Sequence, residues 1–481
     1  MSLVELENFV GGRWVRPDSL GYLDVPDPSS GALISRVPRS SAAAVDQAVQ
    51  AARAALPAWR DVPVAQRAHR LLALRGLLES HVEELSRSIV RENGKTVDEA
   101  EGSVRRGIEA VDFAASAPAT MQGYFLEDVT PGVDTTLIRQ PVGVVAGITP
   151  FNFPVMIPLW FAPMALVCGN TFVLKPSERV PNSANLLARL FAEAGFPPGT
   201  FNVVHGDAPA VNALLEHPGV DAISFVGSAP TARHIYTHGT AHGKRVQALA
   251  GAKNFLIVMP DADLERSVPA ILSSAFGHAG ERCLAAAVIL AVEPGADRTV
   301  QAIAEKVPSL VVGPGDRPET FVPPVIRPDN RDRILNWVKE GEKAGAVVVA
   351  KGEIPAGSDG YFVPPILMDK VRPEMAIAQE EVFGPVLLVI RVPSLDEALK
   401  VANRSRFGNA SAIFTRSGGA AREFTHRIEA GMLGVNIGVP APAAFFPFSG
   451  WKGSFFGDLH ATGRDSIEFY TRRKVVISRW F

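Results

Sequence analysis

This sequence predicts an α/β protein: a doubly wound parallel sheet, a second α/β domain after it, and a small β arm. Three observations carry that expectation. From about Pro141 onward, short β-rich runs alternate with segments of helical spacing, the pattern of a parallel sheet with crossover helices. The alternation pauses around Cys283 and then resumes, which marks a second unit of the same class. Two further segments, "DTTLIRQ" near Thr135 and "SIEFYTRRKVVISRWF" at the C-terminus, suit a projecting sheet, an arm for oligomerisation.

Taken in order, the first hundred or so residues read as mostly helical, "SAAAVDQAVQAARAALPAW" and "LALRGLLESHVEELSRSIVREN" being the clearest cases. "VGVVAGI" is strand-like and precedes a helix from Val155, after which "TFVLKP" is a second strand. "SANLLARLFAEAG" has helical spacing and ends in Gly195, a stop signal. "FNVVHG", "DAISFVG" and "FLIVMPDA" are further β-rich runs, with "PAVNALLEH" and "PTARHIYTH" as helices between them. Beyond Cys283, "AVILAV", "DNRDRILNWVKEGEKAGAVVVAKG", "GPVLLVI" and "SLDEALKVANRS" form the second unit. No internal repeat or low-complexity segment interrupts the chain.

Length and composition exclude several classes. A chain of 481 residues has room for two or three domains. Its net charge of −2 leaves no electrostatic footprint for nucleic acid. Two cysteines cannot make a disulfide framework and point to a reducing compartment. Glu5 and Glu7 stand where a signal peptide needs a basic start and an apolar core, so a cytoplasmic location is expected. Gln140 to Leu174 carries no charged residue or histidine, yet Pro150, Pro154, Pro158 and Pro163 punctuate it. It reads as buried strand, turn, helix and strand, and no membrane partner is expected.

Some motifs are decoys. His234, His238 and His242 fall four apart, but Gly239 interrupts the series and no carboxylate sits in register, so no metal is expected. "NGKT" at Asn93 lacks the upstream glycine of a phosphate loop, Ile89 standing in that slot. "NRS" at Asn403 and "NAS" at Asn409 match glycosylation sequons, which carry no meaning in a cytosolic chain. No GxGxxG follows a strand-like run. Cys168, in "ALVCGNTFV", reads as a small core residue.

The chemistry sits elsewhere. Cys283, in "HAGERCLAAA", is a candidate nucleophile if its thiolate is favoured locally. Asn152, in a proline-bounded turn after a buried strand, has a side-chain NH₂ that suits an oxyanion, although such a residue also commonly bonds its own backbone. "SFVGSAPTAR" is a strand, a Gly-Ser turn and a helix with Pro230 near its start, a ready anion site.

Together "PFNFP" around Asn152, "KPSE" at Lys175 to Glu178, "FVGS" at Phe225 to Ser228, "GERC" at Cys283 and "EEVFGPV" at Glu380 to Val386 resemble, in order and spacing, the NAD(P)-dependent aldehyde dehydrogenase superfamily. The resemblance covers nearly the whole chain. It implies a Rossmann-like parallel-sheet NAD-binding domain at 1–118 and 142–252 and an α/β catalytic domain at 253–442. An oligomerisation arm is implied at 119–141 and 465–481, giving a homotetramer or homodimer. It implies Cys283 as nucleophile, with Asn152 and the Cys283 N–H holding the oxyanion. Phe151, Lys175, Glu178, Gly227, Ser228, Glu381 and Phe383 are implied to bind NAD. Gly227 and Ser228 would take the pyrophosphate, Lys175 and Glu178 the adenosine ribose, and Glu381 and Phe383 the nicotinamide side. A carboxylate near the ribose 2′-OH favours NAD over NADP.

Hydrolytic members carry a glutamate in an "ELGGK"-like motif that activates water. Here the stretch is "ALAGAKN", and matching Gly251 and Lys253 leaves Leu249 in the glutamate slot. Leucine accepts no proton, so another nucleophile is expected to remove the acyl group, coenzyme A being the obvious thiol. "PFNFPVMIPLW", "GAKN…VMPDAD", "VNIGVPAP" and "GWKGSFFGDLH…FYT" resemble the CoA-acylating methylmalonate-semialdehyde dehydrogenase branch, which also handles malonate semialdehyde. Its usual Cys-Met-Ala is here Cys283-Leu284-Ala285. That branch releases CO₂ and forms propanoyl-CoA or acetyl-CoA. A substrate carboxylate needs a cation, for which Arg282 and Arg106 are the candidates. Arg282 is equally placed to balance Glu281, and Arg105 and Arg106 to form a solvated helix face. The alternatives are a hydrolytic aldehyde dehydrogenase with Glu381 as base, or a structural or binding protein on the same fold.

Overall fold

The computed structural model describes residues 4–481; residues 1–3, assigned above to the first NAD-binding segment, lie outside the described residues. An eight-stranded sheet is centred on five parallel strands, ordered Arg245–Leu249, Ala222–Val226, Val144–Ile148, Thr171–Lys175 and Phe201–Val203. Their residues are apolar along nearly their whole length because helices cover both faces. The helix Met156–Val167 is buried almost throughout, which explains the uncharged run without a membrane. None of the described helices is long and apolar enough to cross one.

Residues far away in sequence complete this sheet. Phe455–Phe456 pairs antiparallel with Arg245–Leu249 at one edge, and the hairpin Asn8–Val10 and Arg13–Val15 closes the other. The N-terminal segment therefore differs from the mostly helical expectation. Five strands lie between Val4 and Ser40, and helices begin only at Ala42, capped by the Ser41 side chain on Ala44 N. Val4–Glu5, Asn8–Val10 and Arg13–Val15 are two or three residues long, and Ser19–Pro26 and Leu33–Ser40 pair in a small separate sheet with irregular burial, so little hydrophobic periodicity marks them.

A second, seven-stranded sheet runs Val347–Lys351, Ile366–Asp369, Val386–Val392, Ala286–Val292, Asn254–Val258, Ala410–Phe414 and Met432–Val435. All its neighbours are parallel except the first pair. The arm is a three-stranded antiparallel sheet with Val133–Pro141 between Tyr124–Thr130 and Thr471–Arg479. Of "SIEFYTRRKVVISRWF", the first five residues belong instead to a helix, Gly463–Tyr470. Tertiary contact overrides the alternation there. Tyr470 is fully buried, and its hydroxyl shares a polar network with Ser224 at 2.8 Å and Gln247 at 3.1 Å under the first sheet.

Tyr470→Phe is expected to leave that network short of a partner and cost about 1–2 kcal/mol of stability. Denaturant unfolding checks this; an unchanged midpoint contradicts it.

Candidate active site

The candidate residues of the first sheet all lie where its parallel strands end. Phe151 and Asn152 follow Val144–Ile148, Gly227 and Ser228 follow Ala222–Val226, and Lys175 is the last residue of Thr171–Lys175. The chain winds outward in opposite directions from Val144–Ile148 and Ala222–Val226, so the crevice beyond them is a topological switch point, where such sheets take ligands. From the second sheet come Cys283, in the turn before Ala286–Val292, and Glu381 and Phe383, in the turn before Val386–Val392. The two sheets thus face one another end to end. Phe151 and Phe383 meet edge to face, their centroids 6.0 Å apart. Glu381 Oε1 accepts from Ala252 N at 2.9 Å, and a Cβ on Gly251 would stand 2.6 Å from the other carboxylate oxygen, so a side chain there would expel Glu381.

Cys283 is held by its own carbonyl. Asn254 Nδ2 and Asn409 Nδ2 donate to that oxygen at 2.9 and 2.8 Å. Burial, and then the charge of Glu381, push the thiol up to about 12; the Cys283 and Leu284 N–H groups and Arg282 oppose them. Asn152 Nδ2 donates to Glu281 O at 2.9 Å, which places the amide two residues from the thiol. Its second N–H has no protein acceptor among the described residues and stays available to an oxyanion.

Leu249 ends its strand fully inside the first domain's apolar core, in the cluster that also holds Leu284, Phe448 and Phe455 and against which Cys283 packs. The position that the resemblance sets against a water-activating glutamate is thus buried hydrocarbon. Glu381 is the carboxylate whose charge reaches the thiol, and burial lifts it to about 7 despite the Ala252 N–H and the Lys253 ammonium.

At the end of the strand Thr171–Lys175, Lys175 Nζ lies 3.3 Å from Glu178 Oε2. Burial works to raise the Glu178 carboxyl, but the Lys175 charge and a backbone hydrogen bond hold it below its ordinary value. Ser228 bonds Thr231 at 2.9 Å and does not cap the helix Ala229–Ala241, leaving that N-terminus open to an anion. The carboxylate, the open helix end and the paired phenylalanines fit a dinucleotide.

The arginines are engaged. Arg282 pairs with Glu99 and donates to Ser273 O at 3.3 Å, so it does not balance Glu281. Arg106 pairs with Glu109 at 3.0 Å and donates to Pro442 O. Arg105 is the solvent-facing one, held by Glu79 and Glu101. Glu99 and Arg106 are seven residues apart on the helix Val97–Ala115, hence on one face and about 10 Å apart along it.

Sequence reading assigned no role to Asn254, Asn409 or the Glu281 carbonyl. Asn409, which matches a sequon in the sequence, is buried directly before the strand Ala410–Phe414. On the histidine helix, His238 Nε2 does meet a carboxylate, Glu216 at 2.9 Å, supplied by the neighbouring helix and so invisible to spacing within one helix. Among the described residues no cluster of three or more His, Cys, Asp or Glu is arranged to hold a metal.

The Glu281 carboxylate is fully buried, accepting from Ile326 N at 3.2 Å and Asn330 Nδ2 at 3.0 Å, and burial raises it to about 8. The folded chain therefore keeps a proton that the unfolded chain loses near pH 4.5, and stability falls with rising pH until about 8. Glu281→Gln is expected to flatten that slope, so that the variant gains on the parent between pH 5 and 8. Melting temperatures across that range check it; parallel curves contradict it.

The pattern described as "Aldehyde dehydrogenase family" matches residues 14–476. Malonate-semialdehyde dehydrogenase 2 of Geobacillus kaustophilus (strain HTA426) is 52% identical over 477 residues, covering 99% of each chain. The malonate-semialdehyde dehydrogenase of Halalkalibacterium halodurans is 51% identical, covering 99% of this chain and 98% of its own. Methylmalonate-semialdehyde dehydrogenase (DddC) from Oceanimonas doudoroffii superposes with a TM-score of 0.98 at 45% identity, over 99% of each chain. A candidate methylmalonate-semialdehyde dehydrogenase from Sinorhizobium meliloti 1021, complexed with NAD, gives 0.98 at 42% identity, over 100% of this chain and 99% of its own. With that match spanning both sheets and the arm, the chain belongs to the aldehyde dehydrogenase family.

Proposed function

We propose that this chain oxidises malonate or methylmalonate semialdehyde with NAD, through a thioester on Cys283. The acyl group then passes to coenzyme A with loss of CO₂, giving acetyl-CoA or propanoyl-CoA. The observation that carries the acyl-transfer step is Leu249, which puts hydrocarbon where a water-activating carboxylate is needed. The names of the relatives at about half identity support the substrate class.

In this reading Glu381, whose charge reaches the thiol, takes the Cys283 proton, the thiolate attacks the aldehyde carbon, and the new oxyanion lies between the free N–H of Asn152 and the N–H of Cys283. Lys175 and Glu178 take the adenosine ribose, the helix end at Gly227 and Ser228 the pyrophosphate, and Glu381 and Phe383 the nicotinamide side with Phe151. NAD, held by these residues, would supply the hydride acceptor that oxidation of the aldehyde to a thioester requires. Leu249 and its apolar neighbours give water no base, so the thioester waits for a thiol. Arg282 and Arg106 supply the cations for the substrate carboxylate, Glu99 holding Arg282 until the substrate competes for it. We take 1–118 with 142–252 as the NAD-binding domain, 253–442 as the catalytic domain, and 119–141 with 465–481 as the arm. Both cysteines are unpaired, as suits the cytoplasm.

One observation favours a second reading. Glu381, near neutrality and electrostatically coupled to the thiol, is poised to act as a base toward water, which would make the chain hydrolytic.

The arm carries an unpartnered apolar face, with Tyr124, Leu126, Val475 and Ile477 all more than half exposed, and we assign it to assembly of a homotetramer or homodimer. Analytical ultracentrifugation tests this; a monomer at micromolar concentration contradicts it.

Two variants test the chemistry. Leu249→Glu is expected to release free acid from malonate semialdehyde without coenzyme A, which the parent does not; identical products from both, read by mass spectrometry, favour the hydrolytic reading. Arg282→Leu is expected to raise KM for malonate semialdehyde at least about tenfold more than for propanal, the worth of one charge-assisted pair. Equal effects on both aldehydes contradict the anchor.

A further inference from the structure

The turn Asn93-Gly94-Lys95-Thr96, dismissed above as a phosphate loop, packs behind the segment Phe151–Phe153. Asn93 Nδ2 donates to Phe151 O at 3.0 Å, while its Oδ1 meets His278 Nε2 at 2.9 Å. Lys95 Nζ donates to Asn152 O at 2.6 Å and lies 3.8 Å from the centroid of the Phe153 ring. Gly94 makes this double contact feasible. It ends the helix Val82–Asn93 at φ +87°, and a Cβ there would stand 2.8 Å from Pro324.

Lys95 is 1% exposed, and no carboxylate lies within ion-pair distance of it among the described residues. Glu99 is its nearest opposite charge in effect, yet one Glu99 oxygen is taken by Arg282, and the other is buried without a hydrogen-bond partner, as is His278 Nδ1. Burial pulls the ammonium down to about 7, a sign of how poorly the site tolerates charge at rest. A methionine would fill the same space without that cost, so packing alone gives no reason for a lysine. The charge does have a use at the moment when an anion forms beside Asn152, a step at which an oriented, water-excluded cation is most effective.

We propose that Lys95 is a positioning residue for the aldehyde chemistry. Its buried ammonium fixes the Asn152 peptide from behind, aims the side-chain amide at the reacting oxygen, and supplies a compensating charge through that peptide. The inference rests on the oxyanion role of Asn152 given above, and the test separates the two.

The test is a double-mutant cycle in the full-length enzyme with Lys95→Met, Asn152→Ala and both together. Each single change is expected to lower kcat by about 100-fold, the typical loss on removing one oxyanion donor. KM for NAD is expected to stay within about twofold, and the double variant to be no slower than Asn152→Ala alone, because Lys95 acts through Asn152. A double variant slower by the product of the two losses overturns the inference, as does a Lys95→Met enzyme with the parent kcat. Asn152→Ala at the parent kcat would instead overturn the oxyanion reading on which it rests. Should Lys95→Met not fold, Lys95→Gln, which keeps a donor and removes the charge, enters the same cycle with the same non-additivity expected.

Discussion

The hydrogen bond from Asn152 Nδ2 to the Glu281 carbonyl crosses from the end of one sheet to the turn that carries the thiol on the other. The rest of the site depends on that crossing. Glu381 on Ala252 N and Phe151 against Phe383 also join the two sheets, but this bond is the one that brings the amide and the nucleophile into one small volume. The turn is braced on both sides. Asn254 and Asn409 hold the Cys283 carbonyl, and the buried Glu281 carboxylate ties the turn to Ile326 and Asn330. His278 and Ala279 are both held at positive φ just before it, a conformation that only a well-packed surround maintains.

The electrostatics of this volume are set mostly by burial. Thiol, carboxylates and lysines are all displaced toward their neutral forms: Cys283 and Glu381 upward, Lys95 and Lys253 downward. Such a site is quiet at rest. Leu249 adds no charge of its own, being buried in the apolar cluster against which Cys283 packs.

Much of this was legible in the sequence, for identifiable reasons. The parallel strands are continuous apolar runs bounded by glycine and proline, so they stood out, and the site motifs lay at their ends. The strands before Ser40 were not legible, three being only two or three residues long and the two longer ones irregular in burial. The helix Gly463–Tyr470 was misread as strand because its burial against Ser224 and Gln247 comes from residues more than 200 positions away. The same limit hid the bracing residues. Asn254, Asn409, Asn93 and Lys95 act through main-chain carbonyls distant in sequence, and no local pattern announces such a contact. The arginine beside the thiol was visible, whereas its pairing with Glu99 was not.

The central claim is that the acyl group waits on Cys283 for a thiol. Its most direct measurement is rapid mixing of the enzyme with NAD and malonate semialdehyde in the absence of coenzyme A, followed by mass analysis of the quenched protein. The account predicts one NADH per active site and then arrest, with an acyl adduct on the peptide containing Cys283 that disappears when coenzyme A is added. Continued NADH formation at an undiminished rate, with Cys283 unmodified, would contradict it.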